Sequence, residues 1–152
     1  VLLLASLITG WRPGLSHLAA IAGGFVIVAV FSLGLGLLFT TANVFFRDAE
    51  NIVDLIAMVA TWASPVLYMW TMVEQAVPGW MFKVYMLNPL TVAVELFHYG
   101  FWLPTAPEHG AYHVIPGLFS VWTPIALGVS IVFLWLGDLV FRRYEGQFAQ
   151  EL

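Results

Sequence analysis

The sequence predicts an all-α protein that crosses a membrane several times. Its residues are 61% hydrophobic and 9% charged, against roughly a quarter charged in soluble domains. Three stretches, 18 to 46, 55 to 73 and 118 to 137, carry no charged side chain, and a helix needs about 20 apolar residues to cross the hydrocarbon core. A soluble helical core would keep a polar face at a period of 3.6; these stretches are apolar all round. Three full transmembrane helices follow. The formal charge of −4 is spread without a long run of one sign, so no nucleic-acid surface is expected. The absence of cysteine excludes disulfides, thiolate metal sites and thiol catalysis.

The opening "VLLLASLITG" has neither an initiator Met nor a basic leader region. It reads as the end of a fourth helix begun upstream, not as a signal peptide. All 152 residues are then one transmembrane domain, the C-terminal portion of a longer subunit. "GWRPGLSH" ends that helix: Gly10, Pro13 and Gly14 break it, and Trp11 and Arg12 suit a water interface. In the next span Ala19, Ala20, Gly23, Gly24, Gly34 and Gly36 are small enough to let helix backbones meet closely in lipid. "GLGLLF" lacks the Lys and Ser/Thr of a phosphate-binding loop. The segment "NVFFRDAEN", 43 to 51, then crowds Arg47, Asp48 and Glu50 between two uncharged stretches. Continued as a helix, it would put Arg47, Asn51 and Asp54 on one face.

The span from about 52 to 73 contains "WASPVLYMW". Pro65 has no amide proton and its ring crowds the preceding turn, so the helix is expected to kink or break there. Ser64 is placed to satisfy a freed carbonyl. From Glu74 to Gly117 five prolines divide the chain, and the uncharged stretch 84 to 94 is too short to span. Asn88 as N-cap and Pro89 at the first helical position start a helix. Two short helices, about 77 to 87 and 89 to 102, are therefore expected to dip into one face of the membrane and return. In that case Arg47, Arg142 and Arg143 share one side, while Arg12 and Lys83 lie on the other. The positive-inside rule makes the former side cytoplasmic. Asp138 and Arg142 are spaced to pair at the end of the last span.

Aromatic residues crowd the outward segment: Trp70, Trp80, Phe82, Tyr85, Phe97, Tyr99, Phe101 and Trp102. An interfacial aromatic belt accounts for most of them. "PEHGAYH" offers Glu108, His109 and His113 as metal ligands, but Pro107 and Gly110 make an irregular loop there, and no metal site is expected. Catalysis would have to rest on Glu95 and His98, a close acid and base three residues apart.

Several of these segments, in this order, resemble one family. "NVFFRD" after a span, "WASPVLY", a Trp followed by "NPLT", a last span and the tail "RRYEGQFAQEL" are similar to the polysaccharide and polyol-phosphate exporter branch of the ABC-2 permeases. That branch exports lipid-linked O-antigen, capsule or teichoic-acid chains. The resemblance implies a six-span subunit of the bacterial cytoplasmic membrane, with its C-terminus cytoplasmic, working as a homodimer with a separate ABC ATPase. ATP and Mg would be bound by that partner, and no cofactor by this chain. The resemblance makes Asn43, Phe46, Arg47, Asp48, Asn51 and Asp54 a loop coupled to the ATPase, and Arg142, Arg143, Glu145 and Phe148 a cytosolic tail against it. It makes the two outward helices, with Trp80, Tyr85, Asn88, Pro89, Glu95, His98, Tyr99 and Trp102, a gate for a glycan channel. His98 departs from the family's usual arginine. A drug-exporting ABC-2 permease and an intramembrane enzyme are the alternatives.

Overall fold

The computed structural model describes residues 10–11, 14–45, 49–103 and 113–151, without the side chains of 45, 49, 50 and 146–151. Among the described residues every regular element is helical. In chain order they are α1 (Leu15–Phe45), α2 (Ala49–Trp62), α3 (Trp70–Ala76), α4 (Gly79–Met86), α5 (Pro89–Phe97) and α6 (Thr123–Glu151). A π-helical turn, His98–Trp102, extends α5, and another, Leu118–Trp122, leads into α6.

Among the described residues two helices are long and apolar enough to cross a membrane: Leu15–Val44, with mean hydropathy 2.4, and Leu118–Glu145, with 2.0. They pack on each other along their length. Phe31 meets Phe133 edge to face, with ring centroids 5.1 Å apart. A methyl group on Gly34 would lie 2.5 Å from the Leu134 nitrogen, and one on Gly137 would lie 2.5 Å from the Gly34 oxygen. Only glycine at both positions lets the backbones come this close, as small residues do in lipid, where no hydrophobic force drives helices together. Of the small residues flagged in the sequence, Gly34 and Gly24 serve this purpose; Gly36 has nothing within 4 Å of its would-be side chain.

These contacts fix direction. Residue 34 meets residues 134 and 137, and near the other end His17 and Phe119 both pack against Tyr99. α1 and α6 therefore run parallel. The chain between them must return from the C-terminal end of α1 to the N-terminal end of α6.

The return begins with α2 and is interrupted. The stretch expected as a third span does not form one long helix: α2 ends at Trp62 and α3 starts at Trp70. At 14 residues α2 is about 21 Å long, short of the roughly 30 Å hydrocarbon core. Pro65 is the cause, since it cannot donate to the helix ladder. α2 packs only lightly on α1, and Ile52, Leu55, Met58, Val59 and Trp62 are exposed.

Past the break, α3 and α4 form a hairpin in which Trp70 faces Phe82 and Tyr68 faces Tyr85. α4 thus runs back toward the level of the break, where α5 begins. α5 then runs antiparallel to α1: Leu90 shares a crevice with Val28, Ala93 and Phe97 adjoin Gly24, and Gly100 sits on Ile21 and the His17 carbonyl. The second short helix therefore starts about halfway along α1 and ends near the start of α1. There Trp11 Nε1 donates to the Gly100 carbonyl at 3.1 Å and its ring stacks on Phe101. Val92, Ala93 and Leu96 of α5, with Ile27, Leu118 and Ala126, are buried where α1, α5 and α6 meet.

Candidate functional site

The interruption of α2 leaves backbone carbonyls without helical partners inside an apolar chain, where each orphan group costs several kcal/mol in lipid. Side chains answer them. Ser64 Oγ donates to Ala60 O at 3.0 Å, as the sequence suggested for a serine beside a proline. Tyr68 Oη donates to Trp62 O at 2.8 Å and lies 3.4 Å from Tyr85 Oη. From α5, Thr91 Oγ1 and Asn88 Nδ2 both reach Ala63 O, at 3.4 and 3.5 Å. Asn88 does two jobs, because its Oδ1 also accepts from Leu90 N at 3.1 Å and caps α5, with Pro89 at the first helical position. The N-terminus of α5 is thus attached to the C-terminus of α2. Two long side-chain bonds of neutral character contribute about 1 kcal/mol or less each, which is enough to hold a contact and weak enough to release it.

Two cavities flank this junction. One, about 350 Å³, lies between α1, α2 and α5; Val28, Phe39, Val53, Ala60 and Leu90 line it, and Thr61 and Ser64 are its polar residues. The other, about 260 Å³, lies between the segment after the break and α5; its lining includes Tyr68, Trp70, Met72, Glu95, His98 and Trp102. Glu95 is fully buried and is the one charged residue in the buried set among the described residues. Its Oε1 lies 3.4 Å from His98 Nδ1. Burying a charged carboxylate is costly unless it is paired, and the His98 imidazole stands beside it. His98 in turn meets Trp102 edge to face, with centroids 5.4 Å apart.

The aromatic residues of the outward segment divide by environment. Tyr68, Trp70 and Trp102 line the smaller cavity, and Trp70 Nε1 is anchored on the His113 carbonyl at 2.7 Å. Tyr85 joins the junction through Tyr68. Tyr99 packs between His17 and Phe119, away from the cavity lining, and Trp80 is exposed. Tyr68, Trp70 and Thr91 were not singled out as site residues from sequence. The signal for the first two was their place just past Pro65, where a broken helix turns side chains inward that a continuous one would present to lipid.

The charged segment is described only at its flanks. Asn43, Asn51 and Asp54 are exposed at the facing ends of α1 and α2. Phe46, Arg47 and Asp48 lie outside the described residues, as do residues 1–9, Arg12, Glu108, His109 and the Glu50 and Phe148 side chains. At the other end Arg142 Nε donates to both Asp138 oxygens, at 2.8 and 2.9 Å. This exposed pair, four residues apart, is screened by solvent and orders the end of α6 only weakly. Arg143 and Glu145 are exposed beside it.

Span-length apolar helices, a broken helix with its carbonyls capped by side chains, and one buried carboxylate define a multi-pass helical membrane protein. Residues 1–102 match the ABC-2 type transporter family, and the chain belongs to it. Over 95 residues it is 34% identical to the O-antigen export system permease protein RfbA of Klebsiella pneumoniae, a match covering 60% of this chain and 35% of that protein. The matched part is thus about a third of that permease. No solved structure matches.

Proposed function

We propose that the chain belongs to the permease subunit of an exporter that moves a lipid-linked polysaccharide outward across the bacterial cytoplasmic membrane, powered by a separate ABC ATPase. The observation that carries this reading is the 34% identity to an O-antigen export permease. The geometry is in keeping with it. The parallel run of α1 and α6 supports a common side for the charged segment after α1 and the tail after α6, and the arginines support a cytoplasmic one. On that side the loop with Arg47 and Asp48 meets the ATPase, and two permease subunits pair around the path.

α4 and α5 then enter from the outer face and turn at Asn88, about midway through the bilayer. Backbone that is irregular at this depth is tolerated where it is buried in protein or lines a water-filled path. The α2–α5 junction is the gate: α2 is loosely held on α1 and links the cytoplasmic loop to Asn88 and Thr91. Movement of the loop is passed along α2 to the start of α5.

Deletion of the gene in its host tests the reading. Loss of surface polysaccharide, with lipid-linked chains retained inside and restored by the intact gene, is the expected result. A deletion strain with normal surface polysaccharide but increased sensitivity to small toxic compounds would identify a drug exporter instead.

A further inference from the structure

The larger cavity is long and narrow. Its α1 wall runs from Val28 through Leu35 to Phe39, about 16 Å along the helix. Its α2 wall is Val53, Ile56, Ala57, Ala60 and Thr61, spaced three and four apart as on one helix face, so the cavity follows α2 along its length. Leu90 and Val94 of α5 close the end nearer the break. A volume of about 350 Å³ spread over that length leaves a section of about 20 Å², a slot about 5 Å wide. Carbon atoms pack about 3.5–4.0 Å apart, so the slot admits a single file of methylene groups. A helix, about 10 Å across with its side chains, needs roughly four times the section. Another helix can roof the slot but not fill it.

The lining asks for hydrocarbon. Its two aliphatic hydroxyls are turned back on their own chain: Thr61 Oγ1 donates to Ala57 O at 2.9 Å and Ser64 Oγ to Ala60 O at 3.0 Å. The other lining residues are aliphatic or aromatic, so a water or a sugar hydroxyl entering the slot would give up hydrogen bonds without replacement. Close-packed interiors do not keep empty space of this size, and lipid tails are as apolar as leucine. The slot is as long as one leaflet is deep, about half of the roughly 30 Å hydrocarbon core. Its Phe39 and Val53 end adjoins Asn43 and Asp54, exposed at the facing ends of α1 and α2. Its Val28 and Leu90 end reaches the α2–α5 junction.

We propose that this slot holds one acyl chain of a phospholipid from the leaflet on the side where α1 ends. The seated chain fills the gap that keeps α2 off α1, and its tip meets Leu90, next to the Thr91 that holds the Ala63 carbonyl. It braces the broken helix at the junction. The site requires α2 to lie in the bilayer and is independent of what the permease carries.

The full-length permease, bound to its ATPase, is reconstituted in vesicles of phosphatidylethanolamine and phosphatidylglycerol. A share of the phosphatidylethanolamine carries a photoreactive diazirine in one acyl chain, and adducts are located by peptide mass spectrometry. With the diazirine near the carboxyl end of the chain, adducts are expected at Phe39 and Val53; near the methyl end, at Val28 and Leu90. Labelling of the slot should saturate as the share of probe rises, whereas passing contact with bulk lipid rises in proportion. Ala57→Leu combined with Ala60→Leu fills the slot and should lower its labelling about tenfold. If that variant does not assemble, saturation in the parent protein carries the test. Labelling that never saturates, or that filling the slot leaves unchanged, is bulk lipid only and overturns the site. Slot residues left unlabelled by both probes are covered by protein, which also overturns it. So does a polyisoprenoid, in place of phospholipid, among the lipids that stay with the purified parent and are lost from the filled variant. Saturable labelling supports the site whether or not the permease exports a polysaccharide.

Discussion

Replacing Gly34 by alanine adds a single methyl group at the crossing of α1 and α6. That carbon would stand 2.5 Å from the Leu134 nitrogen and 2.6 Å from the Phe133 carbonyl carbon. Comfortable separations between such atoms are about 3.5–4.0 Å, so the helices must part by roughly 1 Å. The obstructing atoms are backbone and cannot turn aside as a side chain would. Overpacking of this kind costs about 1–3 kcal/mol, and in lipid no hydrophobic gain between helices offsets it.

Gly137→Ala strikes the same crossing from the other side, 2.5 Å from the Gly34 oxygen. Once one methyl has separated the helices, the second costs less, so the double substitution is less than additive. Gly36 and Gly128 are the controls, because nothing lies within 4 Å of either would-be methyl. In the full-length protein in detergent, thermal unfolding followed by size-exclusion of a fluorescent fusion should show a loss of about 2–12 °C for Gly34→Ala. Gly36→Ala should stay within about a degree of the parent. Equal melting of the Gly34→Ala and Gly36→Ala proteins would refute the close crossing.

Asn88→Ala removes the acceptor for Leu90 N and one contact to Ala63 O; with a cap worth about 1 kcal/mol, amide exchange at the start of α5 should be about fivefold faster, and unchanged exchange there would deny the cap. Arg47→Glu or Asp48→Lys should lower export while the permease still folds and co-purifies with its ATPase, since a surface charge reversal costs little stability; full export in both would remove the coupling role. In an otherwise cysteine-free subunit, His113→Cys should react with an impermeant thiol reagent added outside intact cells and Arg143→Cys should not. Labelling of Arg143→Cys from outside would invert the topology.

Helix ends were legible in the sequence because they depend on local chemistry. Asn88 and Pro89 start α5 where the capping residue and the proline said they would, and Pro65 ends α2 with Ser64 on a freed carbonyl. The long apolar stretches of α1 and α6 were equally plain. What sequence could not supply was the neighbour of each side chain. Gly34 and Gly36 look alike along the chain, yet only Gly34 faces another backbone, and its counterpart Gly137 is one of three glycines in α6 with no pattern to mark it. Gly100 gives no sign that its π-helical turn rests on Ile21 and His17. Tyr99 and Trp102 are three apart in one aromatic cluster, but one packs on Phe119 and the other lines a cavity. Glu95 and His98 were visible as a pair; the complete burial of Glu95, on the side of α5 that faces the segment after the break, is encoded by no local rule.

Passage of a saccharide polymer through the assembled permease is the central consequence of the proposed function. The direct measurement uses the full-length permease with its ATPase in sealed vesicles, oriented with the ATPase outside and loaded with the host's lipid-linked polymer in the outer leaflet. A glycosidase trapped in the lumen reports arrival. Cleavage of the polymer is expected only when ATP and Mg are added, and slower cleavage when Asn88 and Thr91 are both replaced by alanine. Polymer that remains intact while the complexes hydrolyse ATP would contradict polysaccharide export by this permease.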